Sequence, residues 1–464
     1  MRRTKIIATI GPKTESEDMM RKLAEAGMNI ARINLSHGTH DWISEAVSRI
    51  KKISHSMQFP IGIMFDTQGP EIRTSATEYG LEAGDLFKIA VSSACDIQEG
   101  EKHTFVDYQN LIKKVKKNDV IMIDNGLIAL KVLDVGLYHI NCMVLNKGAL
   151  GKTKSINMPG IRTDLPSVTE KDIKDLKLGA KLGIDFVAQS FVRRKEDLLQ
   201  MRRLLSKFKS NAMVIAKIED QEGIENMDEI VNEADGVMVA RGDLGVEIPI
   251  EEIPLVQKQM VDKCIEAGKP VIIATHLLES MILNPIPTRA EVTDVANAVF
   301  EKADCIMLSG ETTKGEYPVE CVKTMHSIAK NTQKRLNFNP GSGFKTKDVK
   351  EAITFGACMG AENLDAKAII TFSKTGKLLS MVTKRRPNID IFVFTDSEEV
   401  KRKMMIYWST FPLLMDFNEN FELMTKKAIG MLKQGKFLVE GDRVIIVSDV
   451  NPKKDTEILE IREV

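Results

Sequence analysis

A chain of 464 residues is too long for one ordinary core, and 43% hydrophobic with 28% charged residues describes a chain that folds throughout. Its 65 basic and 65 acidic residues cancel, which excludes a global field for nucleic acid or an anionic membrane; any anion site must be built locally. No apolar run approaches the ~20 residues that cross a bilayer, and Cys95, Cys142, Cys264, Cys305, Cys321 and Cys358 are scattered with no CxxC pair. They read as reduced core thiols, so the cytoplasm is the expected location.

The N-terminus carries Arg2, Arg3 and Lys5 before a short apolar run that stops at Gly11-Pro12, which predicts a strand and not a leader. A helix over Asp18 to Ala26 ends at Gly27; a strand follows over Asn29 to Leu35, then a helix over Asp41 to Ser54 and a strand over Ile61 to Asp66. After Pro70 the rhythm changes to short strands separated by Gly, Asp and Asn: Ile89 to Val91, His103 to Phe105, Val120 to Ile123, Ile128 to Val135 and Ile140 to Leu145. This predicts an inserted all-β module. From Glu170 the βα rhythm returns, with strands at Phe186 to Phe191, Met213 to Ile218, Gly236 to Val239, Pro270 to Thr275 and Cys305 to Leu308. Three early strands and five late ones give the eight of a (β/α)₈ TIM barrel, with a doubly wound sheet as the structural alternative. The expected domains are a catalytic barrel over 1–69 and 166–337, a β lid over 70–165, and a C-terminal α/β domain over 338–464. Leu336 to Lys347 reads as a linker, followed by a helix over Val349 to Glu362 and strands at Ala368 to Phe372, Ile389 to Phe394 and Arg443 to Val447.

Side chains two apart on a strand share a face. This groups Arg32, Asn34 and Ser36, then Lys217 with Glu219, Arg241 with Asp243, and Ser309 with Glu311, each at the C-terminal end of its strand, where barrel enzymes keep their chemistry. Any one of these could be a surface group or a structural ion pair; four strands ending in convergent charge predict a site. Glu219 and Asp243 suit a hard divalent cation, and Lys217, Arg32 and Arg73 suit a phosphorylated, carboxylated substrate. Gly148 to Thr153 (GALGKT) is too short for a phosphate-binding loop and predicts a turn; Lys384 to Arg386 predicts a solvated helix end. His37 and His276 read as wall residues of the site.

TKIIATIGP, NIARINLSHGTH, DTQGPEIRT, VIAKIE, VARGDLGVEIP, IIATHLLESM, PTRAEVTDVANAV and LSGETTKGEYP together resemble pyruvate kinase from Lys5 to Ala329, and more weakly beyond. The resemblance implies phosphoryl transfer between phosphoenolpyruvate and ADP, with Mg²⁺ (or Mn²⁺) and K⁺. It implies that Arg32 and Arg73 hold the transferring group, that Lys217 neutralises its charge, and that Glu219 and Asp243 ligate Mg²⁺. Ala240, Arg241, Gly242 and Asp243, with Thr275, would bind the substrate carboxylate, and Thr275 or a water beside it would protonate the enolpyruvate. Asn34, Ser36, Asp66 and Thr67 match a K⁺ site; Asn34, His37, Arg73 and Lys171 match nucleotide contacts. The lid over Glu71 to Leu165 would exclude water, hinging at Gly69-Pro70 and Pro166.

Gln68 and His276 depart from the family's usual Lys and Gln. Ser373 to Leu378 resembles an effector-phosphate loop, but Leu378 replaces its last hydroxyl, so a sugar bisphosphate is expected to bind weakly. A homotetramer is implied, and no phosphohistidine-type domain is expected before Val464. A Mg²⁺-dependent barrel lyase or aldolase acting on an oxo acid is the competing activity, distinguished by indifference to ADP; a catalytically silent scaffold would lack a matched catalytic group, and none is missing.

Overall fold

The computed structural model describes residues 1–75, 77–337, 346, 348–417, 420–448 and 458–464. Most of the expected linker, Leu336 to Lys347, lies outside the described residues. Strands β1 (Lys5–Ile10), β2 (Ile30–Asn34) and β3 (Gly62–Asp66) precede the inserted module. The module holds β4 (Ile72–Arg73), β5 (Tyr79–Leu81), β6 (Leu86–Ala90), β7 (His103–Phe105), β8 (Val120–Ile123), β9 (Ile128–Val135), β10 (His139–Val144), β11 (Gly148–Leu150) and β12 (Ser155–Asn157). β13 (Phe186–Gln189), β14 (Met213–Ile218), β15 (Gly236–Ala240), β16 (Val271–Ala274) and β17 (Cys305–Leu308) follow.

β1, β2, β3 and β13 to β17 close in chain order into one parallel barrel, β17 pairing back onto β1 with Lys5 opposite Cys305. The doubly wound alternative is thereby overturned. The barrel strands are buried along nearly their whole length because interior side chains pack on one face and helices on the other. Those helices start where the sequence places caps. Ser16 Oγ accepts from Met19 N at 3.2 Å. Thr169 with Asp172, and Thr288 with Glu291, form capping boxes. Gly27, Gly183 and Gly268 end helices at positive φ.

The module is a seven-stranded sheet, β4-β12-β8-β9-β10-β6-β7, beside the pair β11-β5, around its own apolar core of Phe87, Ile89, Ile121, Leu130, Ile140 and neighbours. Gly148–Leu150 belongs to a strand, so GALGKT turns only over 151–153.

The C-terminal domain holds β18 (Ala368–Phe372), β19 (Asp390–Thr395), β20 (Thr410–Leu414), β21 (Arg443–Ser448) and β22 (Ile458–Glu463), in the order β20-β19-β18-β21-β22 with only β22 antiparallel. This domain closes the barrel floor: Ile406 packs among Ile7, Ile30, Met64 and Cys305 inside the barrel. Lys5 Nζ donates to the Thr410 carbonyl at 2.5 Å and lies 4.0 Å from the Phe411 ring centre. Arg402 Nε pairs with Asp185 Oδ1 at 2.9 Å. The expected solvated run Lys384 to Arg386 is in fact largely buried: Arg386 pairs with Asp304 and sits over Trp408, while Lys384 pairs with Glu351. A guanidinium here spends its charge on joining two domains. No helix among the described residues is long and apolar enough to cross a membrane.

Candidate active site at the C-terminal end of the barrel

Alternation along the strands sorts the side chains. Ile7, Ile30, Met64, Ile215 and Met238 fill the barrel interior, and residues of the same parity further along are Thr9, Arg32, Asp66, Lys217 and Ala240. The interior thus turns polar toward the strands' C-terminal ends. Asp66 is the hub: Oδ2 accepts from Arg32 Nε at 2.6 Å and Oδ1 lies 3.0 Å from Lys217 Nζ. Lys217 Nζ also lies 2.8 Å from Glu219 Oε1 and donates to Ser190 Oγ at 2.7 Å, while Arg32 Nη1 donates to Thr9 Oγ1 at 2.8 Å. Arg32, Asp66, Lys217 and Glu219 are all buried.

Burial alone would neutralise these groups, and their neighbours decide otherwise. It would lift the Asp66 carboxyl, yet Arg32 and Lys217 hold it below the usual carboxylate range. It would lower the Lys217 ammonium, yet Asp66, Glu219 and Asp243 hold that group above the usual lysine value. Burial pushes the Glu219 carboxyl up and Asp243 adds to it, against the opposing pull of Lys217 and of the Phe191 N–H, which donates to Glu219 Oε2 at 2.7 Å. Fully ionised, three carboxylates against two cations leave this cluster one negative charge in excess, unsuited to a polyanion until a cation joins it. Glu219 and Asp243 offer hard oxygen donors for one. Two carboxylates leave the rest of an ion's shell to substrate oxygens and water, which is the donor chemistry that suits Mg²⁺.

Past β15 the expected strand alternation fails. Arg241–Glu247 is a helix, where residues two apart point in different directions. Arg241 therefore does not share a strand face with Asp243. Its Nη1 pairs with Asp294 Oδ1 at 2.7 Å and its Nη2 donates to the Thr275 carbonyl at 2.6 Å. This steadies Thr275 and His276, both at positive φ (66° and 55°). Thr275 Oγ1 accepts from Gly242 N at 2.8 Å and donates to the Ala274 carbonyl at 2.6 Å. The Ser309 and Glu311 pairing fails for the same reason: Gly310–Thr313 is helical, and Glu311 is buried accepting from Leu278 N and Ser309 N. Its role is structural.

Asn34 stands opposite Asp66 across β2 and β3, Asn34 Oδ1 accepts from Ser36 N at 3.1 Å, and the Thr67 carbonyl accepts from Ser190 Oγ at 2.7 Å, so Asn34, Ser36, Asp66 and Thr67 gather in one place. Lys171 Nζ donates to the Leu35 carbonyl and pairs with Asp175 Oδ2 at 2.6 Å, beside His40; His37 is exposed on the same loop. Arg73 stands apart from Arg32 and Lys217 in its bonding. It lies on strand β4 of the inserted module, paired with Glu71, and donates to the Thr153 carbonyl at 3.2 Å. Ser190, Thr9 and Phe191 belong to this network without a motif in the sequence that marks them. Only the parity of β1 and the small-residue end of β13 hinted at the first two.

Two families match in succession: the profile described as "Pyruvate kinase, barrel domain" over residues 1–322, and "Pyruvate kinase, alpha/beta domain" over 351–462. Among curated relatives, proteins named "Pyruvate kinase" from Sporosarcina psychrophila and from Staphylococcus aureus (strain MRSA252) are 42% and 41% identical, each over 97% of this chain and 78% of its own length. One of the same name from Staphylococcus epidermidis (strain ATCC 12228 / FDA PCI 1200) is 40% identical with the same coverage. A closed eight-stranded barrel, a polar cluster at its C-terminal mouth and this likeness along nearly the whole chain lead to one conclusion: the chain belongs to the pyruvate kinase family.

Proposed function

We propose that this chain transfers the phosphoryl group of phosphoenolpyruvate to ADP, giving pyruvate and ATP, the last step of glycolysis. The observation that carries this reading is the buried Lys217 ammonium held between Asp66, Glu219 and Ser190 beside Arg32. Phosphoryl transfer needs fixed positive charge around a moving anion more than it needs a covalent intermediate. Glu219 and Asp243 would hold Mg²⁺ or Mn²⁺, which when bound offsets phosphate and carboxylate charge. Lys217 and Arg32 would orient the transferring group, and the backbone of Ala240 to Asp243 with Thr275 would receive the substrate carboxylate. Because the Thr275 hydroxyl already donates to the Ala274 carbonyl, it must leave that partner to hand a proton to the enolpyruvate; a water beside it need not. Arg73 would join by exchanging Glu71 for a phosphate as the lid closes.

An all-oxygen set of Asn34, Ser36, Asp66 and Thr67 suits K⁺. Lys171, His37, Asn34 and Arg73 would meet the nucleotide. Assembly as a homotetramer is supported by the exposed apolar face of edge strand β22, Leu459 and Ile461, and by exposed Ile250, Leu255, Leu283 and Ile286 on the barrel. The cytoplasm, with its reduced thiols, is the proposed location. The test is pyruvate formation from phosphoenolpyruvate with ADP, Mg²⁺ and K⁺ each omitted in turn. Pyruvate is expected only with ADP and Mg²⁺, and replacing K⁺ by a bulky tetraalkylammonium ion is expected to remove most of the rate. ADP-independent cleavage of an oxo acid would instead mark the lyase.

A further inference from the structure

The main chain crosses between barrel and lid twice, and a buried charged side chain of the barrel grips each crossing. On the outgoing path Asp172, 1% exposed, turns Oδ1 to the backbone N–H groups of Gln68 and Gly69 at 3.1 and 3.5 Å. Its Oδ2 accepts from Thr169 N at 2.9 Å and from Thr169 Oγ1 at 2.7 Å, so the same carboxylate caps the helix Glu170–Leu182 that carries Lys171. Gly69 sits at φ 71°, and a Cβ there would lie 2.8 Å from both Ser190 and Phe191 side chains, which leaves the crossing one backbone path. Three residues on, Ile72 already belongs to the lid core.

On the return path Arg193, 4% exposed, donates through Nη1 to the Thr163 carbonyl and hydroxyl at 3.0 and 3.1 Å and through Nη2 to the Leu165 carbonyl at 2.6 Å. Its own backbone is fixed by Asp197 Oδ2 at 3.0 Å and Asn226 Nδ2 at 2.8 Å. The gripped segment is lid body: Ile161 and Leu165 pack on the lid core, and Asp164 is bonded by Tyr108 and Asn110. An arginine committed to three neutral acceptors, with no carboxylate hydrogen-bonded to its guanidinium among the described residues and only the charge of Asp220 nearby, does little for stability that an apolar side chain would not. It does fix direction.

Building on the phosphoryl-transfer reading, we propose that Asp172 and Arg193 are the two pivots of the lid, positioning residues that set its angle and, through the cap of the helix bearing Lys171, tie that angle to the nucleotide subsite. Loosening either would leave the lid attached but free to swing, so nucleotide capture would suffer before phosphoenolpyruvate binding does.

All six native cysteines are buried, so Leu137→Cys on the lid and Lys177→Cys on the barrel, both exposed positions, can carry spin labels for a distance distribution in the unliganded full chain. Asp172→Ala and Arg193→Met are each expected to broaden that distribution about twofold or more and to raise KM for ADP about tenfold, with KM for phosphoenolpyruvate nearly unchanged. Thr169→Ala removes the hydroxyl half of the capping box but keeps the Asp172 bonds to the backbone at 68, 69 and 169, and is expected to lower Tm while leaving the distribution as in the parent. Arg193→Lys, which keeps the charge on a single donor nitrogen in place of the guanidinium fork, carries the test if Arg193→Met fails to fold, with an intermediate width expected. Unchanged widths in both pivot variants, or equal broadening in Thr169→Ala, would overturn the proposal. The distances are read without ligand, so failure of the enzymatic reading would remove only the KM results.

Discussion

At the scale of single residues, the site is a matter of which burial costs are repaid. Lys217 stays charged because three carboxylates outweigh its desolvation, and its ammonium is positioned by Ser190 without being neutralised by it. Lys217→Met, close in volume, is expected to keep the fold and most phosphoenolpyruvate binding while lowering turnover by about 10² or more, read by steady-state kinetics beside a melting curve. Unchanged turnover would remove Lys217 from the chemistry. Lys217 and Glu219 were legible because two charged residues close an otherwise apolar strand. Ser190 was not, since nothing local marks a serine as the partner of a lysine 27 positions away. The family resemblance puts Arg73 beside the phosphoryl group, whereas in the structure its partner is Glu71.

At the scale of elements, the long buried strands were read to within a residue or two because a two-sided burial requirement writes itself as a continuous apolar run. The two- and three-residue strands β4, β5, β11 and β12 are too short to show a period, and β20 and β22 passed unread: β20 carries Pro412, while β22 alternates as a half-exposed edge does. The starts of the helices at Arg241 and Gly310 were missed since neither has a side-chain cap. One consequence falls on the lid crossing: Gly69→Ala would place a methyl against Ser190 and Phe191 at a φ that disfavours any Cβ. It is expected to cost about 1 kcal/mol or more of stability and to lower kcat/KM by about tenfold, read by thermal melting and kinetics. Between barrel floor and C-terminal domain, burial, with Arg2 adding, lowers Lys5 from its ordinary 10.5 to about 7, against Cys305, Asp390 and Asp304. A folded value below the unfolded one means the folded chain sheds this proton first. The Lys5 contribution to stability is therefore present above about 10.5 and is lost as the pH falls through about 7. Lys5→Met should flatten that part of the Tm–pH curve, losing least, or gaining, near pH 6. A parallel shift at all pH values would contradict it.

At the scale of the whole molecule, a barrel gathers charge at its mouth, an inserted β module joins it by two crossings, and the C-terminal α/β domain closes its floor with Ile406. The C-terminal loop that resembles an effector site ends in Leu378, which is 1% exposed within the domain core and has no hydroxyl to offer a phosphate. Calorimetry with fructose 1,6-bisphosphate is expected to show no tight binding; submicromolar binding at that loop would contradict the assignment. The proposed reaction is defined by where the phosphorus atom goes. Followed by ³¹P NMR with Mg²⁺ and K⁺ present, phosphoenolpyruvate and ADP should disappear together as the γ-phosphate of ATP grows one for one, and Lys217→Met should slow that exchange without redirecting it. Loss of the phosphoenolpyruvate signal into inorganic phosphate alone, or its persistence beside intact ADP, would contradict the account.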